Sequence, residues 1–277
     1  MEKNNLATKQ EKTWCPGCLN NLILEAVQKT LDKLIENGAK LEDFVMVTGI
    51  GCHAKIFDYL NISGFYGLHG RVLPAALGIK LANPNLKILG FAGDADTYAE
   101  GMGHFIHAGR YNADMTFIVH DNQSFSLTTG QASPTTQEGY KSKVEPFGQM
   151  NHPINPIALA LGANFSFIAR TNAKDIEYTA EILTKAIQHP GFAFVEIIQD
   201  CLVFNPDMNN KDSLMYKIPD NQDSGKAWAL AGEWDYNSKS GKIPLGVIFQ
   251  ETRPTLDERW LQLADLKKQG LGWKDLK

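Results

Sequence analysis

The sequence predicts an α/β protein with a doubly wound, mainly parallel sheet, because short apolar runs alternate with amphipathic helical segments. The apolar runs are continuous, which is typical of strands covered on both faces. With 277 residues and 43% hydrophobic content, the chain can bury the core of one large α/β domain. We therefore expect a single domain over residues 1 to 277.

The first predicted element is a helix after Cys18, because apolar residues from Leu19 to Ile35 share one helical face and Gly38 offers a C-terminal stop. The predicted strands are Phe44 to Thr48, Ile88 to Phe91, Met115 to Val119 and Phe192 to Ile198. Helical patterns lie between them at about 73 to 83, 98 to 110 and 173 to 188. Strands separated by helices indicate a parallel sheet. Beyond Cys201 we expect an irregular C-terminal extension from about residue 202.

Composition and charge exclude several classes of protein. The net charge of −4 is spread without a basic stripe, so nucleic acid is not an expected partner. No apolar stretch is long enough for a bilayer, and the first residues are polar, so we expect a cytoplasmic protein with no membrane partner. Four cysteines in a long chain of this kind favour thiolate chemistry over disulfides.

The four cysteines have the count and spacing of a metal centre. Cys15 and Cys18 form a Cys-x-x-Cys pair, and Cys52 and Cys201 are remote residues that could complete a tetrahedral set. One [4Fe-4S] cluster needs this number of thiolates. Spacing alone leaves open a structural zinc site or buried, inert cysteines.

A second motif predicts a magnesium site for a diphosphate cofactor. Asp94, in Gly93-Asp94-Ala95-Asp96, and Asn122, in Asp121-Asn122, follow consecutive predicted strands, and the carbonyl of Ser124 could add a third oxygen. This is how thiamine diphosphate enzymes hold the magnesium ion of their cofactor. Taken alone, Gly-Asp could be only a strand-to-helix turn with an Asp cap.

These motifs fall where a doubly wound sheet binds ligands. Gly49 to Cys52 follows the first predicted strand, Asp94 the second, Asn122 the third and Cys201 the last, so all four can meet at the carboxyl edge of the sheet. A thiamine centre beside an electron acceptor indicates oxidative decarboxylation.

The chain resembles the β subunits of 2-oxoacid:ferredoxin oxidoreductases, which are chains of the thiamine diphosphate-binding (diphosphate-domain) type. The resemblance covers roughly residues 13 to 201 and continues more weakly beyond them. Its motifs are Trp14 to Cys18, Gly49 to Cys52, His69-Gly70-Arg71, Gly93 to Asp96, and Asp121-Asn122 leading to Leu127 to Thr135. Such a series in order is far more specific than any one member.

The resemblance implies a role for each matching residue. Cys15, Cys18, Cys52 and Cys201 would ligate the cluster, whereas Asp94, Asn122 and the carbonyl of Ser124 would hold Mg²⁺. Lys55 would lie near the substrate carboxylate, to which its positive charge is suited. The residues expected to line the diphosphate and thiazolium are Ile50, Gly51, Cys52, His53, Gly67, Leu68, His69, Gly70, Ala95, Asp96, Ser126 and Leu127.

The same resemblance implies the reaction and its partners. A 2-oxoacid and coenzyme A would give acyl-CoA and CO₂, with electrons passing through the cluster to ferredoxin. An α subunit should complete the site, because thiamine enzymes activate the aminopyrimidine with a glutamate from a separate domain that is not evident here. Two alternatives remain: a non-redox thiamine decarboxylase or ligase subunit with structural zinc, and a cluster protein that transfers electrons without binding thiamine.

Overall fold

A computed structural model describes residues 5 to 206, 211 to 237, 240 to 272 and 275. Within these residues the strands are β1 Phe44–Thr48, β2 Ser63–Tyr66, β3 Lys87–Gly93, β4 Met115–Asp121, β5 Phe167–Asn172, β6 Phe192–Ile198, β7 Met215–Lys217 and β8 Ile243–Gln250. The α-helices are α1 Asn20–Glu36, α2 Ile56–Tyr59, α3 Val72–Ala82, α4 Met102–Tyr111, α5 Pro156–Gly162, α6 Ile176–Gln188, α7 Ser224–Gly232, α8 Leu256–Arg259 and α9 Leu261–Gln269.

The strands form one sheet in the order β2-β1-β3-β4-β6-β5-β8-β7. All neighbouring pairs are parallel except β5 and β8. From β1 the chain passes outward to β2 and then returns to β3 on the other side, so the strand order reverses between β1 and β3. The predicted doubly wound, mainly parallel sheet is confirmed, and a crevice for ligands is expected at this switch point.

Helices cover both faces of the sheet. On one face α1 and α6 pack together, and Thr30 Oγ1 of α1 donates a hydrogen bond to the carbonyl of Ala180 over 3.2 Å. The other face is covered by α3, α4, α5 and α7, whose apolar residues surround a cluster of phenylalanines. None of the helices in the described ranges is long and apolar enough to cross a bilayer.

The predicted first helix and its stop are confirmed. Gly38 follows α1 with a φ of +100°, and its N–H donates to the carbonyl of Ile35. The N–H of Ala39 donates to the carbonyl of Leu34, so the last turn of the helix keeps hydrogen-bonded carbonyls. A residue without a Cβ is favoured at this φ.

The expectation of an irregular extension from about residue 202 is wrong for the described residues. Strand β8 pairs antiparallel with β5, and β7 pairs parallel with β8. Helix α7 buries Ala227, Leu230 and Ala231 against the core. The C-terminal part of the chain therefore completes the sheet. Its pattern is weak because Pro244 and Gly246 interrupt the apolar run of β8.

The buried His189 gives the fold a dependence on pH. It follows α6, its Nε2 lies 2.9 Å from Ser166 Oγ, and its ring packs 5.3 Å from that of Phe167. Burial lowers the pKa of His189 from 6.5 to about 4. Between these values the unfolded chain binds a proton that the folded chain excludes. The free energy of unfolding should therefore fall as the pH falls, by about 1.4 kcal/mol per pH unit for this group.

Urea unfolding at several pH values from 7 to 4.5 measures this dependence. Replacing His189 by Gln removes the titrating group, so the variant should lose less stability than the parent over that range. Equal losses in the two proteins would contradict the assignment.

Candidate functional site

A cavity opens at the carboxyl edge of the sheet, beside the switch point between β1 and β3. It spans about 450 Å³, including its mouth, and the loops after β1, β3 and β4 line it. Register aligns the ends of these strands, since Gly93 of β3 pairs with His120 of β4. The lining residues are Ile50, Gly51, Cys52, His53, His69, Gly93, Asp94, Ala95, Asp96, His120, Asn122, Ser124, Phe125, Ser126, Leu127 and Thr128. We call this the central cavity.

The central cavity brings together most of the predicted cofactor residues and all three predicted magnesium ligands. Gly67, Leu68, Gly70 and Lys55 do not line it. The first three flank His69 on the loop after β2. Lys55 instead donates a hydrogen bond from Nζ to the carbonyl of Thr13 over 2.9 Å, so its proposed contact with a substrate carboxylate stays a prediction.

Asp94 lies at the base of the cavity in a buried acidic pair. Thr135 Oγ1 is 3.0 Å from Asp94 Oδ2 and also 3.0 Å from Asp121 Oδ1. Burial raises the pKa of Asp94 to about 6, and burial together with Asp94 raises that of Asp121 well above its usual value. Two buried carboxyl groups this close to one hydroxyl favour a positive charge at the cavity base.

Asn122 and Ser124 add neutral oxygens beside Asp94. Asn122 Oδ1 accepts a hydrogen bond from Ser126 Oγ over 3.2 Å, and the carbonyl of Ser124 accepts one from the Ser126 N–H over 2.9 Å. Gln123 between them has a φ of +54°, which turns the chain after β4. One carboxylate, one amide and one carbonyl form an oxygen set of the kind that Mg²⁺ accepts along with phosphate oxygens.

At the wall of the cavity, Asp96 on the loop after β3 contacts the loops that follow β1 and β2. Its Oδ1 accepts the Gly70 N–H over 2.5 Å and lies 3.1 Å from His69 Nδ1, and its Oδ2 lies 3.4 Å from His53 Nε2. Burial raises the pKa of Asp96, but the two neighbouring imidazoles have the larger combined effect and lower this pKa to about 2. Asp96 also raises the pKa of His69. The Asp96 carboxylate is therefore ionised at neutral pH and gives this wall of the cavity a negative charge.

The position of Asp96 depends on two glycines. A Cβ on Gly49 would lie 2.0 Å from Asp96 Oδ2, and a Cβ on Gly70 would lie 2.5 Å from the carbonyl carbon of Glu100. Gly70 also has a φ of +70°. Asp96 itself begins a π-helical turn that ends at Glu100, a feature often found at functional sites.

All four cysteines are free and line a second cavity next to the first. We call this the cysteine cavity. Its sulfur atoms have hydrogen-bond donors: Asn20 Nδ2 lies 3.5 Å from Cys18 Sγ, and Ser126 Oγ lies 3.2 Å from Cys201 Sγ. The Phe204 N–H also donates to Cys201 Sγ, over 3.4 Å. Donors of this kind suit thiolate sulfurs that are bound to a metal centre.

Two of the four thiols, those of Cys18 and Cys52, resist ionisation in this environment. Burial is the main cause that raises the pKa of Cys52 to about 11, and it also raises that of Cys18. In the described part of the chain, no three His, Cys, Asp or Glu side chains are arranged to hold a metal ion. The four cysteines thus share one cavity without forming a closed single-ion site.

Three residues form the wall between the two cavities. Cys52, Asn122 and Ser126 line both of them. A group bound in the central cavity and a group bound by the cysteines would therefore be separated by a single layer of side chains.

Sequence reasoning missed several residues of the site. Thr135 bridges the acidic pair, and Phe125 lines the central cavity beside His69. His120 is buried in the cavity wall, where its Nδ1 lies 2.7 Å from Asn20 Oδ1 and burial lowers its pKa well below the usual value. The position of His120, directly before Asp121-Asn122, was an available signal. Thr135 ends the motif that begins at Leu127, but its position in the sequence does not show that it contacts two carboxylates. Asn20 gave no signal, because its partner His120 is distant in sequence.

Comparisons with known proteins agree with this geometry. Residues 49–197 match the family model described as thiamine pyrophosphate enzyme, C-terminal TPP binding domain. The chain is 39% identical over 264 residues to the 2-oxoacid:ferredoxin oxidoreductase subunit beta of Saccharolobus solfataricus, a match that covers 89% of this chain and 84% of that protein.

A curated relative from Methanocaldococcus jannaschii, 2-oxoglutarate synthase subunit KorB, is 32% identical over 260 residues, covering 92% of this chain and 93% of that protein. Among solved structures, the 2-oxoglutarate:ferredoxin oxidoreductase from Magnetococcus marinus with 2-oxoglutarate, coenzyme A and succinyl-CoA bound is similar in fold. The TM-score is 0.86 at 30% identity, over 98% of this chain and 91% of that chain.

Proposed function

Because this chain belongs to the β subunits of the 2-oxoacid:ferredoxin oxidoreductases and is thus a component of an oxidoreductase, we propose that it binds thiamine diphosphate with Mg²⁺ in the central cavity and a [4Fe-4S] cluster in the cysteine cavity. The proposed reaction converts a 2-oxoacid and coenzyme A to acyl-CoA and CO₂. Its electrons pass through the cluster to ferredoxin. The observation that carries this proposal is the wall of Cys52, Asn122 and Ser126 shared by the two cavities.

The central cavity fits the diphosphate end of the cofactor. When bound, thiamine diphosphate supplies the nucleophilic carbon and the electron sink needed to release CO₂. Asp94, Asn122 and the Ser124 carbonyl would hold Mg²⁺, which offsets the acidic pair at the cavity base. His69, whose pKa Asp96 raises, can as an imidazolium direct its second N–H toward anionic oxygen, and His53 lines the same cavity.

The exposed surface near the central cavity supports an α subunit as partner. Leu68 on the loop after β2 is 74% exposed, Phe65 is 50% exposed and Leu127 at the cavity wall is 44% exposed. No glutamate is found among the described residues that line the cavity. A partner chain could cover these apolar side chains and supply the carboxylate that activates the aminopyrimidine.

Gly49 provides a test of the role of Asp96. In the Gly49→Ala variant the new methyl group would displace the Asp96 carboxylate from His53 and His69 without removing its charge. We expect thiamine diphosphate to bind about 10- to 100-fold more weakly, as is typical when a supporting contact in a metal site is lost. Equilibrium titration of the αβ protein measures the affinity.

Gly78 offers a matched control for this substitution. A Cβ at this position on α3 meets no atom within 4 Å, so Gly78→Ala should bind the cofactor like the parent. Parent-like affinity in Gly49→Ala would show that the Asp96 contacts are not needed for binding.

Metal and sulfide analysis tests the proposed cofactors. Anaerobically purified protein should contain about four irons and four acid-labile sulfides per chain and should bleach with dithionite. One zinc and no sulfide would remove the proposed electron acceptor and favour a non-redox thiamine enzyme. Iron and sulfide without thiamine binding would instead favour a protein that only transfers electrons.

A further inference from the structure

The hydroxyl of Ser126 lies on the wall between the two cavities and contacts groups on both sides. It is 3.2 Å from Asn122 Oδ1 in the central cavity and 3.2 Å from Cys201 Sγ in the cysteine cavity. Ser126 is 6% exposed, so water competes little for the hydroxyl. Its chain neighbours are fixed, since its N–H donates to the Ser124 carbonyl and it accepts the Thr129 N–H at its own carbonyl.

One hydroxyl group can donate only one hydrogen, so these acceptors compete for it. The Ser124 carbonyl lies farther from the hydroxyl, at 3.5 Å, and accepts the Ser126 N–H over the shorter distance of 2.9 Å. The real choice is therefore between the Asn122 amide oxygen and the Cys201 sulfur.

Resting on the proposed function, we infer that Ser126 couples occupancy of the magnesium and thiamine site to the reduction potential of the cluster. An Asn122 oxygen that ligates Mg²⁺ has given a lone pair to the ion and becomes a poorer acceptor. Cys201 bound to iron carries negative charge and becomes a better one. Binding of Mg²⁺ with the cofactor thus directs the Ser126 hydrogen to the sulfur.

A hydrogen bond to a cluster sulfur stabilises the more negative, reduced state, and therefore raises the reduction potential. The cluster becomes a better acceptor only when the cofactor that supplies electrons is in place. By thermodynamic linkage the effect is reciprocal: reducing the cluster should strengthen binding of thiamine diphosphate and Mg²⁺. Ser126 acts here as a positioning residue, since it touches a cluster ligand and a magnesium ligand.

An anaerobic redox titration of the αβ protein tests the inference. The reduced cluster is followed by electron paramagnetic resonance, with and without added thiamine diphosphate and MgCl₂. In the parent protein the potential should rise when the cofactor is added. The bound ion also raises the potential directly by its charge, and this effect is common to all variants. The contribution of Ser126 is therefore the part of the rise in reduction potential that is lost in Ser126→Ala.

Ser126→Ala should show a lower potential with cofactor bound and a smaller cofactor-dependent rise than the parent. Ser126→Thr keeps the hydroxyl and should restore the rise. Ser142→Ala removes a hydroxyl that contacts the Glu145 carboxylate, outside both cavities, and no sulfur, so its potentials should match the parent. Equal rises in the parent and Ser126→Ala would overturn the inference.

Cofactor affinity gives a second readout. Dithionite-reduced parent protein should bind thiamine diphosphate with MgCl₂ at least about five-fold more tightly than oxidised protein. A five-fold change in affinity is at the lower end of what coupled binding sites typically show. Ser126→Ala should show a smaller ratio, and an unchanged ratio would contradict the coupling. If no reducible cluster is found, the proposed function fails together with the inference. If the cluster is present but the variants behave alike, only the inference fails.

Discussion

Replacing Asp94 by Ala is expected to weaken binding of thiamine diphosphate with Mg²⁺ by at least about 100-fold. Loss of a supporting contact around a metal already costs about 10- to 100-fold, and Asp94 would be the charged ligand itself. The substitution also removes one carboxyl group of the buried acidic pair, so that only Asp121 remains beside Thr135. Titration of the αβ protein with thiamine diphosphate at fixed MgCl₂ measures the change.

Two variants complete this experiment. Asp265 is an exposed carboxylate on α9, so Asp265→Ala should keep the parent affinity. Asp94→Asn keeps the shape of the side chain and removes its charge, which separates charge from packing. Unchanged cofactor affinity in Asp94→Ala would exclude the proposed position of the magnesium ion.

Replacing Arg170 by Met should destabilise the fold by about 3 to 5 kcal/mol, the usual cost of breaking a buried ion pair. Arg170 is fully buried on β5, where its Nε donates to Glu196 Oε2 over 2.7 Å and its Nη2 donates to the Tyr236 hydroxyl over 2.7 Å. Its guanidinium also lies 5.2 Å from the Trp234 ring. Without Arg170, the Glu196 carboxylate is left uncompensated in the core.

Urea unfolding measures this loss, and an exposed pair provides the comparison. Lys185 of α6 contacts Asp220 and Glu181 at the surface, so Lys185→Met should change the free energy of unfolding by at most about 1 kcal/mol. If Arg170→Met and Lys185→Met lower the free energy of unfolding equally, the buried ion pair of Arg170 and Glu196 does not stabilise the fold more than a surface pair.

The strands that could be predicted from the sequence are those with continuous apolar runs. β1, β3, β4 and β6 lie inside the sheet, and their residues are apolar because helices cover both faces. β5 escaped prediction because Arg170, Thr171 and Asn172 are polar residues in a buried strand. Their partners, among them Glu196 and Tyr236, come from distant segments. β2 escaped because it is an exposed edge strand.

The residues of the candidate site likewise fall into those that could be predicted from local sequence patterns and those that could not. Asp94, Asn122 and the cysteines could be predicted because each stands at a strand end or in a short motif, and the carboxyl ends of parallel strands meet. The contacts of Thr135 and Asn20 could not be predicted, because Thr135 meets Asp94 and Asn20 meets His120 only after the chain folds back. The double contact of Ser126 likewise follows from the wall between two cavities, which no local pattern encodes.

The proposal that the two cavities act as one electron path is tested most directly by adding a 2-oxoacid to the anaerobic αβ protein without ferredoxin. We predict that the oxidised cluster becomes reduced, with a paramagnetic signal that requires both thiamine diphosphate and MgCl₂. Release of CO₂ with no change in the cluster would contradict the account, because the cysteine cavity would then not accept the electrons of the reaction.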